Sequence, residues 1–471
     1  MILFGYQLAP LWTDWLVYLL VAVGIAFFFY ARRHEHIARP WRQIVQRPLA
    51  MSAAVVLLVY IAIGLADSIH VHESREPADD GKPLFSSELV SVLDIALSSL
   101  RLQQEKTYSA PFALHSYAKE TLEQADGSVV REFPRLEYGG VHLSDEGKRA
   151  GDIVVKLLLA LLISLVIFIL LIILLAWYLS RLQQISLSAQ LSMLKRGDTS
   201  IPWRSIGLTL FVLMWIGFGL GILSQYYHVL GTDKVGQDVL YLALKSIRTG
   251  LVIGGLTTLF VLPFALSMGI AAGYFRGWVD DVIQYIYTVL SSVPNVLLIV
   301  ASILVINVYI DNNPELFPSL EKRADAKLLF LCMVLGITGW VGLCRLLRGE
   351  ALKLREIDYI QASQAFGVSN TRILSRHILP NVMHIVLITL VLDFSGLVLA
   401  EAVLSYIGVG VDPSMISWGN MINSARLEMA REPIVWWSLV AAFIFMFVLV
   451  LCANLFSDAV RDAFDPRVQG R

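Results

Sequence analysis

The sequence predicts an all-α protein, a polytopic transmembrane helical bundle. Three observations carry that reading. Hydrophobic residues make up 56% of the 471 residues and charged residues only 16%, where a soluble domain carries roughly a quarter charged. The apolar residues are gathered into blocks long enough to cross a bilayer, which takes about 20 residues of helix. Lys and Arg, finally, concentrate in alternate connecting segments, the pattern that orients membrane proteins.

Nine spans are expected, near 12–31, 49–66, 153–178, 206–224, 248–273, 281–309, 328–346, 382–400 and 434–456. In the first, Asp14 sits inside the apolar run and Arg32 and Arg33 follow it. A cleaved signal peptide begins with positive charge instead, so this block is read as a retained span. Residues 32–48, 179–204 and 345–381 are rich in Lys and Arg and are assigned to the cytoplasm. The N-terminus then lies outside and the C-terminus inside, which needs an odd number of spans. Residues 67–152 form the one sizeable polar segment, a cap on the outer side. Within it, 86–103 reads as helical from its apolar spacing. His70, His72 and Glu73 are read as a solvated cluster at the membrane edge rather than metal ligands.

Several function classes are excluded or disfavoured. Cys332, Cys344 and Cys452 all fall in apolar runs and show no CxxC or Cys/His spacing, so they read as buried hydrophobes with no metal site. A formal net charge of -1 gives no bulk attraction for nucleic acid. No G-x-x-x-x-G-K-[ST] loop is present, so if ATP drives this protein another polypeptide binds it. No convergence of His, Asp and Glu suggests a membrane enzyme.

The most informative segment is cytoplasmic: Glu356-Ile-Asp-Tyr-Ile-Gln-Ala-Ser-Gln-Ala-Phe-Gly367, then Val-Ser-Asn-Thr-Arg-Ile-Leu-Ser-Arg-His-Ile-Leu-Pro-Asn381. Asp358 can cap a short helix with Gln361 as its capping-box partner. Gly367 suits the left-handed position that ends it. Ser369 or Asn370 can cap a second helix, and Pro380 is expected to break that helix before the next span. Physically this is either an ordinary amphipathic connection between spans or a rigid helix built to dock into a groove on a partner.

The same residues resemble the EAA loop of binding-protein-dependent importer permeases. Gln361, Ala362 and Ser363 stand at the E-A-A positions, and Gly367, Leu379 and Pro380 keep the rest of the pattern. Further stretches resemble the C-type permeases of dipeptide, oligopeptide and nickel systems. They are Leu230-Gly-Thr-Asp-Lys-Val-Gly-Gln-Asp238, Ala400-Glu-Ala-Val-Leu-Ser-Tyr-Ile-Gly-Val-Gly410, Ser417-Trp-Gly-Asn420 and Asp458-Ala-Val-Arg-Asp-Ala-Phe-Asp-Pro-Arg467. The motifs run in order over about 228–468. Gln361 and Gln237 replace the usual Glu and Arg.

The resemblance implies a type I importer permease fold with a MetI-like core. It also implies an inner-membrane location and a coupling helix at 358–367 seated on an ATPase subunit. The implied partners are a second, B-type permease, two ATP-binding subunits that hold the ATP, a periplasmic substrate-binding protein and membrane lipid; this chain itself would bind no cofactor. Peptides are the implied cargo. Four units follow: N-terminal spans at 1–66, of which the second resembles the usual first permease span; an outer insertion at 67–152; an added hairpin at 153–227; and the transporter domain at 228–471. The resemblance is silent on the purpose of the first three.

Charges inside spans cost roughly 2.5–3.5 kcal/mol on insertion scales. Asp393 lies inside the span 382–400 and Glu401 at its outer end, and both are candidates to face the pathway or gate. Gly269 and Gly273 form a small-xxx-small face for close helix contact. Trp436 and Trp437 read as an interfacial belt. The rival classes are a secondary transporter or channel, for which Asp393 is the one candidate ion site, and a non-transporting assembly subunit.

Overall fold

The computed structural model describes residues 2–3, 6–75, 84–123 and 129–464. A short ribbon, β1 (Ile2–Leu3) and β2 (Tyr6–Leu8), precedes α1 (Trp12–Arg33), α2 (Glu35–Val45) and α3 (Pro48–Asp67). Pro48 opens α3, where its missing N–H would have had no helical partner anyway. Strands β3 (His70–Arg75) and β4 (Leu84–Ser91) extend the ribbon into one antiparallel sheet in the order β1-β2-β3-β4. The first residues of the chain and the polar insertion therefore share a single sheet on one face of the bundle.

The cap continues through α4 (Val92–Ala96), α5 (Ser98–Leu102) and a hairpin of β5 (Glu120–Glu123) and β6 (Val129–Glu132). The helix expected over 86–103 is thus corrected. Its first third is strand, with Val90 paired to Val71 and Leu89 to His72. Only at Ser91, whose side chain forms a reciprocal capping box with Asp94, does a helix begin.

Helices α6 (Arg149–Gln183), α7 (Leu187–Arg196) and α8 (Trp203–Leu223) form the added hairpin. α8 packs on α3 while α6 packs on α8. α6 leaves Leu162, Leu170 and Leu174 exposed, as suits a helix whose solvent is lipid. The remaining elements are α9 (Val239–Phe275), α10 (Trp278–Ser292), α11 (Asn295–Asn312), α12 (Leu320–Gly339), α13 (Val341–Arg355), α14 (Asp358–Ala365), α15 (Asn370–Ile373), a π-helical turn (Leu374–Ile378), α16 (Leu379–Tyr406), α17 (Trp418–Glu428) and α18 (Trp437–Phe464).

Eight helices among the described residues are long and apolar enough to cross a membrane, and the pair α12–α13, bent by 41°, makes nine. The block expected as one span at 281–309 is broken at Val293-Pro294 into α10 and α11. Proline there removes a donor and disfavours helix at the residue before it.

Helix α9 is the central strut, touching α3, α12, α13, α16 and α18. Gly269 and Gly273 let α13 approach closely. A Cβ on Gly269 would stand 2.8 Å from the Cys344 carbonyl oxygen, and one on Gly273 would stand 2.6 Å from both Ala351 Cβ and the Arg348 carbonyl oxygen. The three cysteines are buried, and no group of His, Cys, Asp and Glu among the described residues is placed to hold a metal.

Candidate functional site

On the face opposite the cap, α14 projects from the end of α13. Its anchors are apolar: Ile360 and Ile373 are fully buried and pack with Leu347, Ala351 and Val382. Polar bonds fix its orientation. Gln364 Nε2 donates to the Tyr274 hydroxyl (3.3 Å), which donates to Asn370 Oδ1 (2.8 Å). Asn381 Nδ2 donates to the Tyr359 hydroxyl (3.1 Å).

The caps differ from expectation. Ile357 is the N-cap residue and offers no side-chain bond. Asp358 is the first helical residue, where its charge favours the positive end of the helix. Gln361 reaches back to the Glu356 carbonyl oxygen (3.3 Å) rather than to the cap amide. Ser363 is turned inward onto the Tyr359 carbonyl (2.7 Å). Gly367 has φ +72° and ends the helix as expected. Ser369 is the N-cap residue of α15 but makes no side-chain cap bond.

Pro380 does not break the following helix. Residues 370–406 run as one span, because the π-helical turn at 374–378 takes up the register change and leaves Leu379 and Pro380 at the first positions of α16. The outward face of α14 is Asp358, Gln361 and Ala362, followed by Phe366, which is 87% exposed. Phe366 was not among the expected site residues. The signal lay in an aromatic set between an Ala and a turn glycine, with only the small Ala362 as an apolar residue three or four positions away.

Asp393 is exposed on α16. Glu401 is 2% exposed and is not a helix-end residue, since α16 continues to Tyr406. Its Oε1 accepts from Ser405 Oγ (2.8 Å) and Ser417 Oγ (3.0 Å). The segment Ser417-Trp-Gly-Asn420 is thereby explained residue by residue. Ser417 also caps α17 through the Asn420 amide (3.0 Å). Trp418 donates to the Ala243 carbonyl (3.0 Å). A Cβ on Gly419 would stand 2.6 Å from Glu401 Oε1. Asn420 Nδ2 donates to the carbonyls of Asp412 and Met415 (2.9 and 2.8 Å).

The cap meets the transporter domain through buried charge. Arg248 of α9, 5% exposed, donates to Asp14 Oδ1 (2.7 Å) and Thr13 Oγ1 (2.9 Å) of α1 and lies 3.9 Å from Asp325 of α12. Asp14 also binds His70 (2.7 Å). His70 is therefore buried in an ion-pair network, not solvated at the membrane edge. Lys245 joins Asp94 of α4 and Asp67 of α3, and Tyr241 donates to Asp94 (2.7 Å). Burial opposes ionisation of Asp94, but Lys245 outweighs it and the carboxyl lies below its usual range.

The segment from Leu230 to Asp238 is the second seam. Gly231 and Gly236 have φ of +74° and +77°, and a Cβ on Gly236 would collide with the Glu105 backbone at 1.7 Å. Thr232 Oγ1 donates to the Thr107 carbonyl (2.9 Å), and Trp437 Nε1 donates to the Thr232 carbonyl (2.8 Å). Trp437 is thus a buried joint, and only Trp436 is exposed. His228 bridges Asp238 (2.8 Å), which caps α9, and Glu105 (3.3 Å). Burial alone would lower the His228 pKa, yet the Asp238 and Glu105 carboxylates hold it up at about 9. Glu105 is pushed down to about 2: burial opposes this, but His228 and the amides of 137–139 prevail.

Residues 265–470 match the family described as the inner membrane component of binding-protein-dependent transport systems. The oligopeptide transport system permease protein of Mycobacterium tuberculosis (strain ATCC 25618 / H37Rv) is 33% identical over 239 residues, 51% of this chain and 76% of that protein. The dipeptide transport system permease protein of Alkalihalophilus pseudofirmus is 30% identical over 242 residues, 51% of this chain and 73% of that protein. The glutathione transport system permease protein of Pectobacterium atrosepticum is 29% identical, again over 51% and 73%. Among solved structures, an inward-facing MetNI methionine transporter matches 47% of this chain and 96% of its own, with 16% identity and a TM-score of 0.33. The chain belongs to the inner-membrane permeases of binding-protein-dependent ATP-driven importers, in the C-type branch of the oligopeptide and dipeptide systems.

Proposed function

We propose that this permease imports short peptides, with α14 as its mechanical link to a pair of ATP-binding subunits that carry out the hydrolysis. The single observation behind this is the build of α14: a helix clamped from beneath by Ile360 and Ile373 that presents Asp358, Gln361, Ala362 and Phe366 outward. A rigid helix with an apolar knob suits a groove on a partner. The peptide cargo is inferred from the oligopeptide, dipeptide and glutathione relatives. A second, B-type permease completes the pathway, and a periplasmic binding protein delivers cargo. The N-terminus and the cap lie outside and the C-terminus in the cytoplasm, because the segments rich in Lys and Arg stand opposite the cap. Residues 228–471 form the transporter domain. Asp393 faces the pathway, and Glu401 acts in the gate by holding the corner between α16 and α17.

The test is purification of the tagged chain from its native membrane. ATP-binding and second permease subunits should co-purify, and hydrolysis should rise when the peptide-loaded binding protein is added. Phe366→Ala and Ala362→Glu should sever that response while leaving the chain folded. Recovery of the chain with no ATPase would sink the coupling role and leave a secondary transporter or an assembly subunit. Wild-type uptake by Asp393→Asn would remove Asp393 from the pathway.

A further inference from the structure

A cavity away from α14 is not explained by the coupling face. It lies where cap and transporter domain meet and has a volume of about 510 Å3. Tyr108 of the cap forms one wall, the loop of Asp233 and Lys234 a second, and α17 with the residues after it a third. Without the insertion the pocket would lack the Tyr108 wall.

Its chemistry is unusual for a structural gap. Four ionisable groups line it, Asp233, Lys234, Glu428 and Arg431, two of each sign. None forms a salt bridge with another residue among those described, although Asp233 Oδ1 accepts from the backbone amides of Val235 (3.0 Å) and Gln237 (2.8 Å). Glu428 is 5% exposed. Its Oε1 accepts from the Tyr108 hydroxyl (3.2 Å), while Oε2 lies beside Ser438 without a hydrogen bond of regular geometry. A buried carboxylate oxygen without a full partner is costly. Arg431 lies over the Tyr108 ring, 5.3 Å from its centre, so one cap side chain orients both an acid and a base. Between the charges, Leu242 and Met421 supply apolar wall.

We propose that this cavity binds a short zwitterionic peptide, the α-ammonium taken by Glu428 and the α-carboxylate by Arg431 and Lys234. On this view the insertion completes an entry site for cargo. Unpaired charges of both signs at net zero match a molecule that is itself neutral overall and charged at both ends. The volume falls in the usual range for small-ligand sites, roughly 300–1,000 Å3. Mixed apolar wall suits side chains of varied identity. The proposal rests on the reading of this permease as a peptide importer.

The experiment uses the purified transporter complex in lipid nanodiscs, without its binding protein. Tri-L-alanine and its blocked analogue, N-acetyl-tri-L-alanine amide, are titrated by calorimetry. Tri-L-alanine should bind, and the blocked analogue at least ten-fold more weakly. Glu428→Gln keeps the acceptor for Tyr108 but loses the charge, and should weaken tri-L-alanine at least ten-fold. Arg431→Gln, at an exposed position, should likewise weaken tri-L-alanine at least ten-fold and serves if Glu428→Gln proves unstable. Equal binding of the blocked peptide, no binding to the wild-type complex, or unchanged affinity in a folded variant would each overturn the pocket assignment. Uptake in proteoliposomes with the binding protein restored separates the two readings. Wild-type ATP-driven uptake of tri-L-alanine, with an unchanged KM in Arg431→Gln, would leave the importer standing and remove the pocket. Failure of the wild-type complex to import any peptide would remove the importer reading itself.

Discussion

The two ends of this bundle are fastened by different physics. On the cap side the added elements are joined to the transporter domain by buried charge: Arg248 with Asp14, Lys245 with Asp94, His228 with Glu105 and Asp238. On the opposite side α14 itself is held by two isoleucines and a few hydrogen bonds, with ion pairs only alongside it, Arg276 with Glu356 and Arg348 with Asp280, and it leaves Phe366 in the open. Buried ion pairs are directional and fail badly when one partner is lost, so they fix position. Apolar anchors permit a small rigid shift, and the exposed aromatic suits the partner proposed above. On the function proposed above, the cap end holds one geometry and the α14 end passes a movement on.

That contrast breaks most directly at Arg248. Arg248→Met leaves Asp14 and Asp325 buried together without their cation, at a cost of about 3–5 kcal/mol. Thermal unfolding of the purified complex should show a large loss, partly restored by adding Asp14→Asn; wild-type stability in the single variant would mean the cap is not charge-locked. Gly273→Leu forces a side chain into the seam between α9 and α13 and should cost about 1–3 kcal/mol or more, read in the same melt. An unaffected Gly273→Leu would show that this seam can open.

The pH dependence of the cap junction sharpens the comparison. The folded pKa of His228, about 9, lies above its ordinary 6.5, so its stabilisation is full below about 6.5 and is lost as pH rises through about 9. Glu105, held at about 2, works in the opposite sense and is lost only as pH falls from about 4.5 towards 2. Protease cleavage within the cap should therefore accelerate between pH 7 and 9.5, and His228→Gln should flatten that profile. Gly367→Ala places a Cβ in the left-handed region, at about 1–2 kcal/mol, and should loosen only α14. The smallest effect on stability belongs to Phe366→Ser, within about 0.5 kcal/mol, while stimulated ATP hydrolysis is lost. A melt lowered by several degrees would make Phe366 a core residue instead.

Much of the fold was legible because lipid imposes a simple rule. A span is about 20 apolar residues whatever it packs against, so the blocks at 49–66 and 434–456 could be placed without any contact information. Gly269 and Gly273 were legible for the same reason, since small residues four apart have few other uses in a membrane helix. The helix and turn at 358–367 were legible as a pattern, but their caps were not. Gln361 had two acceptors within reach and Pro380 two ways of being accommodated, and only the path of the backbone through the π-helical turn decided between them.

The cap was the least legible region. The spacing at 86–103 fits a helix until β3 offers β4 a partner, and strand pairing is a long-range fact. His70 and Trp437 look like membrane-edge residues in one dimension. Each is buried because a residue distant in sequence, Asp14 in one case and Thr232 in the other, comes to meet it. By itself, then, the sequence determined the membrane embedding and the family, because these depend on runs and motifs within short windows. The tertiary structure alone decided which charges are paired, which motif residues are joints and which knob stays exposed. Those outcomes depend on distances between segments that can lie far apart in sequence, which neither hydropathy nor spacing encodes.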